Sequence, residues 1–167
     1  ESALRRALLV GWADRVARRA KPNEQAASNN ALIDPDDPEG GSNTRTKATR
    51  YRPAMLDAPV FLHPSSTLHR TAPDYVVYTD LLQTSKRPYL MGATAVDASW
   101  LVDDAPALAS LSSPLEEPAP RYAAGRDEVV AFVQPHFGRH RWELPLHAVP
   151  LSADRGGCGA FAAALLS

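Results

Sequence analysis

Between residues 49 and 101 no apolar run lasts more than a few residues, and Pro, Gly or polar residues interrupt all of them. That punctuation excludes a long helix there. It fits short strands at about 8–12-residue spacing, the pattern of a small antiparallel barrel or sandwich. Four segments read as strands: residues 49–52, 59–62, 75–82 and 89–96. In the third, YVVYTDLL, alternation puts Tyr75, Val77 and Thr79 on one face and Val76, Tyr78 and Asp80 on the other. Gly92 marks a bulge or sharp bend in the fourth. Residues 98–101 either extend that hairpin or start a short helix, and residues 106–111 read as a helical turn or loop.

The flanks differ in character. Leu4, Leu8, Trp12 and Val16 recur every four residues, which predicts one amphipathic helix ended by Pro22. Arg5, Arg15, Arg18 and Arg19 lie largely off its stripe, and Asp14 is spaced to pair with Arg18. Residues 22–47 are rich in Asn, Asp, Pro, Gly and Ser, with only Leu32 and Ile33 as an apolar pair, and read as a mobile insertion. Residues 113–122 form a Pro-rich connector. Residues 128–133 and 144–151 read as further strands, QPHFGRHRWE as a linker between them, and residues 161–166 as the start of a terminal helix.

Composition bounds the rest. The chain has 167 residues, enough for one domain with appendages and a real core. A net charge of −1 excludes a strongly basic chain as a whole, not a local basic patch. The single Cys158 cannot form an internal disulfide and fits a reducing compartment. No apolar run approaches the roughly 18 residues that span a bilayer. The opening Glu1 and the uncapped apolar end suggest a piece of a longer chain.

The usual catalytic signatures are missing. The sequence holds no G-x-x-x-x-G-K-[ST] loop and no G-x-S-x-G elbow. Ser65, His63 and Asp74 have the residue types of a nucleophilic triad, but nearness in sequence is no evidence for its geometry. His136 and His140 are spaced i, i+4, yet Pro135 and Gly138 disfavour the helix that a zinc pair there would need. Two polar stretches stand out. VFLHPSSTL places an imidazole, a rigid turn and two hydroxyls at the mouth of a strand. TSKR, residues 84–87, is the best local cluster of hydroxyls and cations.

VFLHPSSTL followed by PDYVVYTDLLQTSKRPYLMGATAVDASWL resembles the C-terminal OB-fold region of DEAH-box RNA helicases. The family pattern sets an apolar pair before His-Pro-Ser-Ser, then a Pro-x-hydrophobic-Val-Val-Tyr strand, Thr-x-Lys, Tyr-Met-Arg-Gly-Val-Thr-like residues and a Trp-hydrophobic pair. Residues 60–66, 73–78, 84–86, 89–94 and 100–101 match it in order and spacing. Leu90-Met91 stands where the family usually has Met-Arg, so one basic contact is missing. GWADRVARR looks like the last helix of the helical domain that precedes the OB fold. PLEEPAPRY and the later strands are similar to the extension of the ribosome-biogenesis branch, which remodels the small-subunit processome.

The resemblance implies a mainly β chain: an OB-fold-like small antiparallel barrel, an N-terminal helix and a β-rich C-terminal extension. The divisions expected are a helix over 1–21, the insertion over 22–47, the OB fold over 48–112 and the extension over 113–167. It implies no catalytic residue and no cofactor in this stretch, with ATP and magnesium belonging to lobes elsewhere in a parent helicase. It implies single-stranded or pre-ribosomal RNA, the remaining helicase domains and an activator protein as partners, no membrane, and the nucleus and nucleolus as location.

Ser65, Ser66, Thr84, Ser85, Lys86 and Arg87 are the candidate RNA contacts, with Ser65, Ser66, Lys86 and Arg87 expected to meet at one rim of the barrel. The bland reading makes His63–Ser66 a strand-capping turn and TSKR a solvated hairpin tip. Tyr75, Tyr78, Tyr89 and Trp100 suit core packing better than base stacking. Arg15, Arg18 and Arg19 suit a solvated helix face better than the RNA channel. Phe137 and Trp142 are expected to pack the extension onto the barrel. Two functions stay open: an RNA-channel and regulatory module, or a protein-docking module that receives a glycine-rich-patch activator or a processome factor. Deleting part of residues 22–47 should leave the melting temperature nearly unchanged, since that segment lacks apolar content to offset ordering. A large drop would show it to be packed.

Overall fold

The computed structural model describes residues 1–21, 49–63, 65–85 and 87–151. The expected insertion, Pro64, Lys86, Cys158 and the terminal helix lie outside the described residues. The chain forms two compact units, residues 1–97 and 98–167.

The first unit opens with helix α1 (Ser2–Gly11) and a single 3-10 turn, Ala13–Arg15. Strands follow: β1 (Val16–Arg19), β2 (Arg50–Pro53), β3 (Val60–Leu62), β4 (Tyr75–Val77), β5 (Asp80–Gln83), β6 (Pro88–Met91) and β7 (Thr94–Val96). The helix expected to reach Pro22 therefore ends at Gly11. Residues 16–19 pair antiparallel with both β2 and β4, and two strand partners outweigh a weak helical stripe. The stripe itself is wrong: Leu9 is fully buried, whereas Leu4 is 67% exposed. Arg5 Nε ties α1 to β7 by donating to the Ala95 carbonyl at 2.7 Å.

The strands hydrogen-bond in the order β5-β6-β3-β2-β1-β4-β7. All pairs are antiparallel except β3 with β6, which is parallel. β5 continues β4, and β7 continues β6, so the two ends of that order are two halves of one long hairpin. The sheet closes on itself as a five-stranded barrel with the connectivity expected of an OB fold. Ala17, Tyr51, Val60, Leu62, Val76, Tyr78 and Leu90 fill the interior.

Closure requires the hairpin to bend. Tyr78 and Leu81 both pack toward the core, so alternation slips by one residue at Thr79–Asp80. Leu90 and Ala93 show the same slip around Gly92. At the bend, the Thr79 amide donates to the Met91 carbonyl at 3.0 Å, and its hydroxyl donates to the same oxygen at 3.2 Å. Gly92 has φ +58 and faces Thr79 so closely that a Cβ would meet Oγ1 inside van der Waals range, with Cβ and Cγ2 each 3.2 Å away. The bend expected at Gly92 is present. The third strand, read as continuous over 75–82, is two strands around it.

Tyr51 carries the one phenol in the interior beside Tyr78, and its hydroxyl donates to the Pro73 carbonyl at 2.6 Å. Burial pushes its pKa up to about 12, against a smaller lowering by Arg19 and a raising by Asp74. Burial likewise raises Tyr75 and Tyr78.

The second unit holds helix α2 (Ala98–Asp104), a 3-10 turn (Pro106–Leu108) and strands β8 (Ala109–Leu111), β9 (Arg121–Ala123), β10 (Glu128–Val133), β11 (Pro135–Phe137), β12 (Trp142–Glu143) and β13 (His147–Pro150). They make two three-stranded sheets, β13-β10-β9 and β12-β11-β8. Gln134 joins them where β10 turns into β11. Its amide donates to Ser112 Oγ at 2.9 Å, its carbonyl accepts from the Ser112 amide at 3.1 Å, and its side chain donates to the Leu144 carbonyl. Residues 134–143, expected as a linker, are thus a β-hairpin. Residues 144–146 precede the last strand instead of belonging to it.

Gly92→Ala should destabilise the barrel by about 2 kcal/mol, from the left-handed backbone and the clash with Thr79. Adding Thr79→Ala should restore the steric share only, as read from urea midpoints. For Tyr51, the folded pKa lies above the unfolded value. Its contribution is complete below pH 10 and declines as pH rises toward about 12. Tyr51→Phe should reduce the fall in unfolding free energy across that window, read from urea titrations, by on the order of 2 kcal/mol, leaving the share of Tyr75 and Tyr78. An unchanged slope would show that the phenol titrates freely.

Candidate nucleic-acid interface

The turn after β3 is built largely from its own side chains. His63 Nδ1 lies 2.6 Å from Ser65 Oγ and accepts from the Ser65 amide at 3.2 Å. The Ser66 amide donates to the His63 carbonyl at 2.9 Å, and Ser66 Oγ accepts from the Leu68 amide at 3.3 Å. Arg19 and Tyr51 secure the far side of the same loop. Arg19 donates to the Ala72 carbonyl at 2.9 Å and pairs with Asp74 at 2.5 Å, while Tyr51 holds Pro73. Ser66 thus orders a backbone amide and Ser65 the His63 imidazole, the turn-bracing role that Ser next to Pro and His favours.

The second cluster is also a closed turn. Thr84 Oγ1 donates to the Arg87 carbonyl at 2.7 Å and accepts from the Arg87 amide at 3.1 Å. Ser85 is exposed. The Arg87 guanidinium lies over the Phe61 ring, 5.0 Å from its centroid. Lys86, between them, is outside the described residues. The structure joins Ser65 to His63 and Thr84 to Arg87, but it does not join the two turns. β3 and β6 are parallel, with Phe61 opposite Tyr89. One turn leaves the C-terminal end of β3 and the other enters the N-terminal end of β6, at opposite ends of that pair.

What connects them is the outer face of the barrel. Tyr51, Val60, Leu62 and Leu90 point inward, so Arg50, Arg52, Phe61, His63, Arg87 and Tyr89 alternate outward. His63 meets the Tyr89 ring edge-on at 5.1 Å. Cross-strand register then gives two rows. Tyr75, Arg18 and Arg52 are neighbours across β4, β1 and β2, and Arg50, Phe61, Tyr89 and Leu82 across β2, β3, β6 and β5. The result is a face of half-buried guanidiniums interleaved with the half-buried rings of Tyr75 and Tyr89, while Phe61 is only 6% exposed and lies beneath Arg87. Arginine forks suit phosphate, and flat rings suit bases.

Sequence reading missed Arg50, Arg52 and Phe61 as members of this face. The signal was present, since an Arg-Tyr-Arg-Pro strand must put both arginines on one side once Tyr51 points inward. Arg18 was placed on a helix and in fact belongs to β1. Of the four aromatics assigned to packing, Tyr78 is in the core, Tyr75 and Tyr89 are half-buried on the outer face, and Trp100 is half-buried on α2. Phe137 and Trp142 are buried in the second unit and stack on each other.

Residues 4–108 match the family model described as oligonucleotide/oligosaccharide-binding (OB)-fold. The chain is 40% identical over 166 residues to the ATP-dependent RNA helicase DEAH13 of Arabidopsis thaliana, covering 99% of this chain and 11% of that protein. It is 32% identical over 167 residues to the probable ATP-dependent RNA helicase kurz of Drosophila melanogaster, covering 98% of this chain and 13% of that protein. A match to the human probable ATP-dependent RNA helicase DHX37 is 38% identical over 107 residues, covering 63% of this chain and 9% of that protein. The chain therefore spans only about a tenth of the length of these relatives. Barrel connectivity and family match agree: the chain belongs to the OB-fold family, as an OB-fold domain of the kind that DEAH-box RNA helicases carry.

Proposed function

We propose that this chain is the RNA-channel and regulatory module of an ATP-dependent DEAH-box helicase acting in nucleolar pre-ribosomal RNA processing and small-subunit assembly. The observation that carries RNA binding is the outer face of the barrel, where Arg18, Arg50, Arg52 and Arg87 alternate with Tyr75 and Tyr89, above a buried Phe61. Phosphate contacts from such a face are independent of base sequence and weaken with salt. ATP and magnesium belong to lobes in the rest of the parent polypeptide. The ribosomal branch is supported by the resemblance of residues 114–122 and the later strands to the extension of that branch. DEAH13 and kurz match across nearly the whole chain, second unit included. The pre-mRNA-splicing factor prp22 of Schizosaccharomyces pombe matches over 56 residues.

Docking of an activator or processome protein is favoured by one observation. Leu82 and Met91 are 43% and 40% exposed on neighbouring outer positions of β5 and β6. The two readings separate in one titration of labelled single-stranded RNA at several salt concentrations. With the fold intact, Arg50→Ala with Arg52→Ala should weaken binding about tenfold across unrelated sequences and lower the salt slope by up to about two. Lys86→Ala with Arg87→Ala should act in the same direction. Ser65→Ala with Ser66→Ala should do less, as neutral hydrogen bonds contribute only around 1 kcal/mol each. Salt-independent or absent binding by the unaltered chain would overturn the RNA reading and leave docking.

A further inference from the structure

The tip of the β11–β12 hairpin is Gly138-Arg139-His140-Arg141, and the barrel reading does not use it. The turn is firmly built. The Gly138 amide donates to the Leu108 carbonyl at 2.9 Å, and the Arg141 amide donates to the Gly138 carbonyl at 3.1 Å. Gly138 has φ +69 and Arg141 has φ +49, a left-handed conformation that a residue with a side chain seldom keeps. Arg139 and Arg141 are exposed on either side of a half-exposed His140.

Below the tip lies a connected series of flat rings. Phe137 is fully buried, and its ring stacks on Trp142 at 6.3 Å and 28°. His140 stacks on Trp142 at 6.3 Å and 23°. The series thus runs from core to surface and ends on an imidazole whose orientation is fixed by Trp142.

We propose that this tip is a second contact for single-stranded RNA, with His140 stacking on a nucleobase and Arg139 and Arg141 holding the flanking phosphates. The inference rests on the RNA reading of the barrel and adds a site in the other unit. An acidic peptide would suit the two arginines, but it would make no use of a flat ring presented between them; a nucleotide uses all three side chains.

The test is the whole chain titrated with labelled oligouridylate at several salt concentrations, with melting temperature as the fold check. Arg139→Ala with Arg141→Ala should weaken binding and lower the salt slope by up to about two. His140→Ala should weaken binding at least about fivefold with the slope unchanged, and His140→Phe, which keeps a ring on Trp142, should restore it to within about twofold. If these variants bind like the unaltered chain while Arg50→Ala with Arg52→Ala does not, the tip inference fails and the barrel reading stands. If all bind alike, the RNA reading itself fails. Loss on removing the arginines with no loss in His140→Ala would also overturn the stacking site. So would displacement of RNA from the arginines by polyglutamate at equal charge concentration, which would assign the tip to an acidic protein.

Discussion

Barrel closure depends on one close approach. Two strands of a single hairpin must each serve two neighbours, and a flat hairpin cannot do so. Thr79 and Gly92 supply the bend: a hydroxyl that bonds across it and a residue with no Cβ to obstruct it. Because both strands slip phase at the same level, β4 and β7 face one part of the barrel while β5 and β6 close against β3. Without that slip, Leu81 and Leu90 would turn outward and the parallel pairing of Phe61 with Tyr89 would be lost.

The outer face follows from that closure. An inward Tyr51 obliges Arg50 and Arg52 to face out, and the β3–β6 register sets Phe61 beside Tyr89 beneath Arg87. No single loop makes this surface; β1, β2, β3, β4 and β6 all contribute to it, and each contribution is fixed by what its neighbours bury.

Much of this was legible before the structure. Short punctuated runs read as strands over 49–52, 59–62, 75–82 and 89–96, within a residue of where strands begin and end, and a glycine in an apolar run marked the bend. Residues 16–19 were not legible, because Val16 completes a fourfold spacing with Leu4, Leu8 and Trp12. Only pairing with strands more than thirty residues away makes Val-Ala-Arg-Arg extended. The hairpin at 135–143 was hidden differently. Pro135 and Gly138 are signals of irregular chain, and nothing local says that Gln134 carries one sheet into the next. The site was half legible: the two polar turns were found, yet parallel pairing, which sends them to opposite ends, is a long-range property.

That separation changes what the polar turns do. His63, Ser65 and Ser66 spend their hydrogen-bonding capacity on one another and on nearby amides, and Thr84 bonds both backbone groups of Arg87. Hydroxyls so engaged hold a loop in shape and have less to offer a phosphate. Charge is the property that a turn cannot use up in this way. Arg87 can cover Phe61 and still present positive potential to solvent, because attraction to a ring face does not neutralise a guanidinium. On the RNA reading proposed for this barrel, affinity for a polyanion resides in the strand arginines, and the serines act through the geometry of the loop they brace.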